Sequence, residues 1–391
     1  MTKFNEVANT IEHAAIVLFT EKVELLNSIN RVLQEDIVAD MDMPPFDKSA
    51  MDGYACRKED LENELEILEI IQAGKLPKKV IGKNQCSKIM TGATVPPGAD
   101  CVFMIEDTNV LNEKFVKCNN PQTKDNICFE GEDYKNGDIL VEKGVKISPS
   151  HIGILAGAGY AEVLVSKTPN VALIATGTEL VEPILIPSAG QIRNSNSYQL
   201  MAQLQSMSIP YNYIGIIADD FEQISASFEK SIADNDIVII TGGTSNGDFD
   251  FVPGMLRKHD FEILVDKTGI QPGNPMTFSK KHQKYCFGLS GNPVSSFVQF
   301  ELFVKPFLYK LMGSEWQQLL IKGTLSKNFY RKKPGRFGII PVKLLEGNII
   351  EEIDFHGSAH INALGYANAL MEVPENVTLI NEGEAAYVRP I

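Results

Sequence analysis

The chain has 391 residues, too many for one ordinary hydrophobic core, so we expect roughly two to four domains. Its 36 basic and 50 acidic residues give a formal net charge of −14, which argues against binding to nucleic acid or to an anionic membrane, because both need a basic surface. No window reaches the roughly 18 apolar residues of a spanning helix and no signal segment is recognisable, so we expect a cytoplasmic protein without membrane contact.

The N-terminal segment predicts a helical and mixed domain. Apolar side chains recur at helical spacing over 4–19 and again over 25–33. A later segment resembles a continuation of this unit, with a helix at 147–159 that ends at a glycine. We therefore expect one domain to be built from 1–40 and 132–168.

The segment between these two parts, 41–131, predicts an inserted small β domain. Short strands alternate with turns there, at 65–71, 88–91 and 101–106. This pattern is typical of a small sheet rather than of a helical unit.

A loop at 41–55 leads into this β domain and follows neither the helix period nor the strand period. Its prolines fix the backbone, and it presents the polar side chains of Asp47, Ser49 and Asp52. Thr91 stands at the exit of a predicted strand, before a second proline-containing loop. Polar groups on rigid loops indicate binding or catalysis, with a plain surface turn as the alternative for the first loop.

From residue 170 onward, short apolar runs alternate with segments of helical spacing. Such alternation predicts a doubly wound, mostly parallel sheet over 169–316. The predicted strands are 171–175, 211–217, 237–240 and 285–289, and the predicted helices are 197–207, 221–233, 252–258 and 293–312.

Four polar clusters follow the ends of these strands. Since parallel strands bind ligands at their carboxyl ends, we expect the clusters to converge on one site. The clusters are 176–179, 219–220, 241–250 and 290–295.

The segment 236–250 carries the strongest chemical signal. Three glycines after its buried strand let backbone N–H groups face an anion. They are Gly242, Gly243 and Gly247. Asp248 and Asp250 follow at once, and two carboxylates beside a phosphate would repel it unless Mg²⁺ lay between them. A glycine-rich turn with solvated acids is the alternative.

Residues 317–391 return to β character and predict a small barrel or sandwich. The predicted fold class is therefore α/β multidomain. It combines a doubly wound, mostly parallel α/β domain, an inserted small β domain, a helical or mixed linker domain and a C-terminal β-barrel-like domain.

Nine motifs appear in order along the chain. They are PPFDKSAMDGYA (44–55), KIMTGATVPPGADCVFMIE (88–106), GED (131–133), ATGTEL (175–180), RNSNSYQL (193–200), TGGTSNGDFD (241–250), PGNP (272–275), GLSGNPVSS (288–296) and HGSAHINAL (356–364). With these motifs the chain resembles, from end to end, the molybdopterin molybdenumtransferase family, which includes the E domain of gephyrin.

The resemblance implies a reaction and an assembly. Adenylylated molybdopterin is hydrolysed in the presence of molybdate and Mg²⁺, which gives molybdenum cofactor and AMP. The assembly is an elongated homodimer with sites at the subunit contact, and we expect the loop 44–54 of one protomer to face the loop 241–250 of the other. The molybdopterin adenylyltransferase is a candidate protein partner.

The motifs and the strand-end clusters together define the candidate site residues. Resemblance carries the family's catalytic positions onto Asp47, Thr91, Asp133, Glu179, Asp220 and Asp250. We expect Mg²⁺ at Asp250 and Asp248. We expect substrate contacts at Ser49, Gly242, Gly243, Ser245, Gly247, Asp248, Gln271, Pro272, Gly273, Asn274, Pro275, Gly291, Asn292, Ser295 and Ser358.

Three cations of the family pattern are absent from this chain. The family's N-[IV]-R-x-x-G-E-D has Cys128 at the arginine, and its K-P-G-K-P has Gln271 and Asn274 at the lysines. Molybdate is a dianion and each charge-assisted contact is worth about 1.5–3 kcal/mol, so losing three without replacement would weaken binding by several powers of ten. The cations considered as replacements are Lys48, Lys267 and Arg193.

Two classes of function follow. The first is the molybdenum-inserting enzyme. The second is a catalytically impaired paralogue that binds the adenylylated pterin or acts as a dimeric interaction scaffold. Retention of the acidic residues favours the enzyme, and loss of the cations favours the paralogue.

Overall fold

The computed structural model of the chain describes residues 3–243, 251–332 and 334–391. The chain forms two compact units. The larger unit comprises Met1–Glu35, Gly144–Ser148 and Glu162–Ile391, and the smaller unit comprises Asp36–Lys143 and Pro149–Ala161. The finer division into four domains, with borders near 40, 131, 168 and 316, stays a prediction.

The smaller unit is built on a six-stranded sheet in which one neighbouring pair is parallel and the others are antiparallel. In spatial order the strands are Cys101–Met104, Gly53–Cys56, Gln85–Ile89, Glu64–Ile71, Phe115–Cys118 and Thr108–Val110. Two further antiparallel pairs are Ile37–Val38 with Ile139–Val141, and Lys48–Ser49 with Ile127–Cys128. The helix of this unit is Pro149–Gly157. The prediction of a small β domain is confirmed.

The larger unit begins with the helix Lys3–His13, which buries Phe4, Val7 and Ile11 along one face. This spacing is the amphipathic pattern that predicts a surface helix. The strand Thr20–Glu24 follows and pairs antiparallel with Glu162–Ser166.

The second N-terminal helix, predicted over 25–33, is wrong. Leu25–Ser28 forms a single 3-10 turn, and Asn30 then takes a left-handed conformation with φ of 64°. Beyond it the chain is extended, and the amide of Leu33 donates to the carbonyl of Val145 at 2.9 Å. The apolar residues of this stretch reach the core from an extended segment, so their helical spacing does not reflect a helix.

The core of the larger unit is a six-stranded sheet. Its spatial order is Tyr211–Ile217, Val171–Thr176, Ile237–Thr241, Lys284–Leu289, Pro275–Lys281 and Glu262–Lys267. The first four strands are parallel, and the last two add an antiparallel edge that the sequence pattern did not predict. The second and third strands in this order are buried along their whole length, as a sheet covered on both faces requires.

Helices cover both faces of this sheet. One face, where Leu173 and Ile239 point, packs against the helices Lys3–His13, Asn196–Ser206, Pro293–Gln299 and Lys305–Leu311, the last two joined by the π-helical turn Phe300–Val304. The other face, where Ile174 and Ile240 point, packs against Phe221–Asp234 and Phe251–Lys258. The predicted doubly wound, mostly parallel architecture is confirmed.

The C-terminal part of the larger unit is a closed five-stranded barrel. Around the barrel the strands are Phe337–Leu345, Ile349–Glu352, Ile321–Leu325, Ala385–Pro390 and Ala369–Val373, which pairs back to the first. The short strand Ile270–Gln271 adds to Phe337–Leu345 in parallel. The predicted barrel-like domain is confirmed.

The remaining elements are short. Two-residue strands pair as Leu180–Val181 with Ile192–Arg193, and as Phe329–Tyr330 with Leu379–Ile380. Further 3-10 turns lie at Lys58–Asp60, Ile105–Asp107, Glu346–Asn348 and Ile361–Gly365. Among the helices in the described ranges, none combines the length and the apolar character needed to span a bilayer.

Candidate active site

The larger unit contains a cavity of about 890 Å³ at the carboxyl ends of its parallel strands. Thr176 and Thr241 end two neighbouring strands and line the cavity, and Ser290 lines it directly after a third strand. Each of the four strand-end clusters contributes lining residues, and so does the C-terminal barrel. The cavity therefore occupies the usual ligand position of a parallel α/β sheet.

Gly242 allows two strand ends to approach each other beside this cavity. Its backbone is left-handed, with φ of 100°, and its amide donates to the carbonyl of Leu289 at 3.1 Å. A Cβ atom at this position would lie 2.4 Å from the carbonyl oxygen of Thr176 and 2.7 Å from its hydroxyl. Position 242 thus requires glycine for both conformation and space.

Asn196, at the start of the helix Asn196–Ser206, links two of the strand ends by hydrogen bonds. Its Nδ2 donates to Thr241 Oγ1 at 3.0 Å and to the carbonyl of Gly291 at 2.8 Å. The carbonyl of Ser290 lies at 3.5 Å from the same nitrogen. Because Asn196 is buried, these contacts satisfy an amide that would otherwise be costly to place there.

Gln299 links two of the loops that line the cavity. It is completely buried in the apolar helix that follows the third strand. Its Oε1 accepts from the amide of Ser290 at 2.8 Å, and its Nε2 donates to the carbonyls of Gly273 and Pro275 at 2.8 and 2.7 Å. A fully paired glutamine in an apolar interior fixes the loop 271–275 against the loop 290–292.

The cavity is lined by more cations than acids, and its cations form no salt bridges with described residues. Among the described lining residues, the acids are Glu179 and Asp219 and the cations are Arg193, Arg331 and Arg336. No salt bridge within the described ranges involves any of these arginines, whereas the salt-bridged arginines Arg31, Arg57 and Arg389 lie elsewhere. Unpaired cations around a cavity indicate an anionic ligand.

Most of the predicted substrate-binding residues, with one predicted acid, surround this cavity. They are Glu179, Gly242, Gly243, Gln271, Pro272, Gly273, Asn274, Pro275, Gly291, Asn292, Ser295 and Ser358. Ser245, Gly247, Asp248 and Asp250 lie outside the described residues, so their roles stay predictions.

Asp220 differs from the other acids predicted from the strand ends. Its Oδ1 accepts from the amide of Gln223 at 2.9 Å and caps the helix Phe221–Asp234. Its neighbour Asp219 lines the cavity instead and accepts from the amide of Thr178 at 3.0 Å. The capping contact is a structural role for Asp220, and its catalytic role stays a prediction.

The smaller unit gathers the predicted residues of the N-terminal motifs. Asp47 Oδ1 accepts from the amide of Glu130 at 2.9 Å, and the amide of Asp133 donates to the carbonyl of Met43 at 2.9 Å. These contacts join the segment 43–47 to the segment 130–133.

Ser49 and Thr91 meet on the other side of the same loop. Ser49 is buried, and its carbonyl accepts from the amide of Gly92 at 2.8 Å. The amide and hydroxyl of Thr91 donate to Asp52 Oδ1 at 2.7 and 2.8 Å, and these two hydrogen bonds lower the pKa of Asp52. Asp52 therefore orients Thr91, although its carboxylate is exposed.

The cations considered as replacements occupy different places. Lys48 is directly opposite Cys128 in an antiparallel pair, so both side chains lie on one face. Arg193 lines the cavity, and Lys267 is not among the described lining residues. Positive charge is thus present beside two of the positions where the family cations are absent, because Gln271 also has an arginine neighbour, Arg331.

Sequence reasoning missed several of these residues. Gln299 carried a usable signal, since a long polar side chain at the end of the mostly buried helix Pro293–Gln299 is costly to bury without partners. Arg331 and Arg336 carried none, because they lie between the strands Phe329–Tyr330 and Phe337–Leu345 and reach the cavity only through tertiary folding.

Comparison with known proteins agrees with this architecture. Three family models match: MoeA N-terminal region (domain I and II) at 2–159, Probable molybdopterin binding domain at 172–310, and MoeA C-terminal region (domain IV) at 324–391. The chain is similar to the molybdopterin molybdenumtransferases of Staphylococcus epidermidis and Staphylococcus aureus, each 37% identical over 362 residues, which cover 90% of this chain and 86% of each relative.

A solved structure extends the comparison to the whole chain. The molybdopterin biosynthesis moeA protein of Pyrococcus horikoshii OT3 is 31% identical, with a TM-score of 0.84 and coverage of 100% of both chains. Sequence and fold therefore agree over nearly the full length, and the chain belongs to the MoeA family of molybdopterin molybdenumtransferases, enzymes of molybdenum cofactor biosynthesis.

Proposed function

We propose that this molybdopterin molybdenumtransferase inserts molybdenum from molybdate into adenylylated molybdopterin, with Mg²⁺ bound and with release of AMP. The observation that carries the proposal is the cavity at the strand ends, which collects three arginines that form no salt bridge with any described residue, in a protein of net charge −14. Both substrates are anions, and a local excess of cations is what such a protein needs to attract them.

Binding and positioning are the main contributions of the chain itself. The arginines receive oxyanion charge, and the left-handed turn at Gly242 and Gly243 brings backbone close to the ligand. Asn196 and Gln299 keep the loops in place, which limits the reorganisation needed on binding. The adenylyl phosphate and the metal oxyanion are thereby held together away from bulk water.

Two carboxylates of the described cavity lining are available to a Mg²⁺ ion. Glu179 and Asp219 supply carboxylate oxygens to the cavity, the hard donors that Mg²⁺ prefers. The candidate ligands Asp248 and Asp250 stay predictions. When bound, the ion would neutralise the phosphate that links the pterin to AMP and polarise its phosphorus.

Measuring AMP release from adenylylated molybdopterin, with and without molybdate and across a Mg²⁺ titration, tests the proposal. Asp250→Asn should abolish Mg²⁺-dependent turnover while leaving the fold intact, and Asp248→Asn should have a smaller effect. Asp234→Asn makes the same change at an exposed helix end and serves as the control. Equal turnover of wild type and Asp250→Asn across the titration would contradict the metal assignment.

We also propose that the active form is a homodimer, with the loop 44–54 of one protomer facing the loop 241–250 of its partner. The support is the family resemblance and the position of Asp47, Ser49 and Thr91 on one rigid loop region. Sedimentation at micromolar concentration should give a dimer. A monomer that is fully active at that concentration would refute this.

A further inference from the structure

Arg331 contacts the position where the family pattern has lost a lysine. Its Nη2 lies 3.2 Å from Gln271 Oε1, and both residues line the cavity. The two residues are 60 positions apart in sequence, and Gln271 reaches Arg331 because the strand Ile270–Gln271 adds to the barrel strand Phe337–Leu345. The guanidinium therefore lies where a lysine ammonium at position 271 would be expected.

The guanidinium is held by neutral groups and has no carboxylate partner among the described residues. Nη2 donates to the carbonyl of Arg336 at 2.6 Å, and Nη1 lies 3.5 Å from the carbonyl of Pro374. Five N–H groups are available on an arginine side chain, so Nε and one N–H of Nη1 remain for a ligand. Arg331 is half-buried, and this partial desolvation lowers its pKa.

Gly338 makes room for this side chain. It is the register partner of Gln271, and a Cβ atom placed on it would lie 3.3 Å from both Cζ and Nη1 of Arg331. The same Cβ atom would lie 3.0 Å from Cβ of Val373. The guanidinium thus lies close to the backbone of Gly338, where a larger residue would crowd it.

We propose that Arg331 binds a tetrahedral oxyanion in the cavity and replaces the positive charge that the family carries at position 271. The inference rests on the proposed function for the identity of the anion, molybdate or the phosphate of the adenylylated pterin. A guanidinium that is partly desolvated, held in place and without a carboxylate partner among the described residues is suited to such a ligand, because its charge and a remaining N–H group can bind an oxyanion oxygen.

The test compares Arg331→Gln with a charge-relocating double variant, Arg331→Gln with Gln271→Lys. Arg257→Gln is the control, since it removes the same charge from an exposed helix position away from the cavity. Equilibrium dialysis measures the Kd for molybdate alone, and steady-state AMP release measures the KM for adenylylated molybdopterin. Dialysis needs no turnover, so its result is independent of whether the proposed reaction occurs.

Arg331→Gln should raise the Kd for molybdate, or the KM for the pterin if the phosphate is the bound anion, by about 10- to 100-fold. The double variant should recover at least tenfold of the loss, and Arg257→Gln should match wild type. If Arg331 had only a structural role, a lysine at position 271 would not restore ligand binding. Failure of the double variant to recover the Kd or the KM would therefore overturn the proposal. Unchanged Kd and KM in Arg331→Gln would also overturn it, even if wild type releases AMP as proposed.

Discussion

Replacing Gln299 by leucine should loosen the loops of the cavity more than it disturbs the core. The two side chains are similar in volume, so the packing change is small. The hydrogen bonds are the main loss, because Gln299 is completely buried and bonds to three backbone groups. Leucine can make none of these contacts.

The size of the effect follows from those three contacts. The amide of Ser290 loses its acceptor, which costs about 1–3 kcal/mol for a buried donor. The carbonyls of Gly273 and Pro275 each lose a donor at about 0.5–1.5 kcal/mol, and Gly273 keeps the hydroxyl of Thr268 at 2.7 Å. We therefore expect Gln299→Leu to lower the free energy of unfolding by about 2–6 kcal/mol.

Urea denaturation measures this loss, and hydrogen–deuterium exchange locates it. Exchange should increase at the loops 271–275 and 290–292, and the KM for adenylylated molybdopterin should rise. Gln203→Leu is the control, because Gln203 is a nearly buried helical glutamine that donates to Glu301 at 2.8 Å and does not line the cavity. An unfolding free energy for Gln299→Leu within about 0.5 kcal/mol of wild type, with unchanged exchange, would refute this reasoning.

Two further substitutions test the geometry of the loops. Gly242→Ala should abolish ligand binding or destabilise the fold, since the new Cβ would lie 2.4 Å from the carbonyl oxygen of Thr176. Gly190 is the control, because it has a similar left-handed backbone with open space around it. In a thermal melt, Gly190→Ala should show only the smaller loss of stability that comes from placing alanine at a positive φ. Thr91→Val should raise the pKa of Asp52 in a carbon-detected NMR titration, because one of the two hydrogen bonds that favour the carboxylate is removed. In wild type the lowered pKa means that this carboxylate stabilises the loop above its unfolded pKa and that the contribution is lost as pH falls through the folded value. An unchanged pKa in Thr91→Val would show that the hydroxyl does not contribute.

The antiparallel edge of the central sheet was not predicted, because the hydrophobic pattern of the sequence does not identify it. The strands Glu262–Lys267 and Pro275–Lys281 pair antiparallel beside the parallel strands, and the first of them is largely exposed. An edge strand needs no continuous apolar run, since solvent covers part of it, so its sequence resembles that of a loop. The region between the predicted helix 252–258 and the predicted strand 285–289 was therefore left without structure.

The sequence by itself determined the elements that show their burial as a continuous run of apolar residues. The run Ile237–Thr241 is buried throughout, and its β-branched residues and following glycines were enough to place a strand and a turn beside a ligand. The motifs were enough to predict the family, and the strand-end rule was enough to predict which loops meet.

Only the tertiary structure decided which cations lie beside the positions where the family cations are absent. Arg331 reaches Gln271 because a two-residue strand joins the barrel, and Lys48 is opposite Cys128 because two short strands pair. Neither contact follows from a period of 2 or 3.6, since each depends on chain segments far apart in sequence. Reading the sequence position by position therefore predicted a loss of three cations, whereas folding brings an arginine to Gln271 and a lysine to Cys128 from other segments.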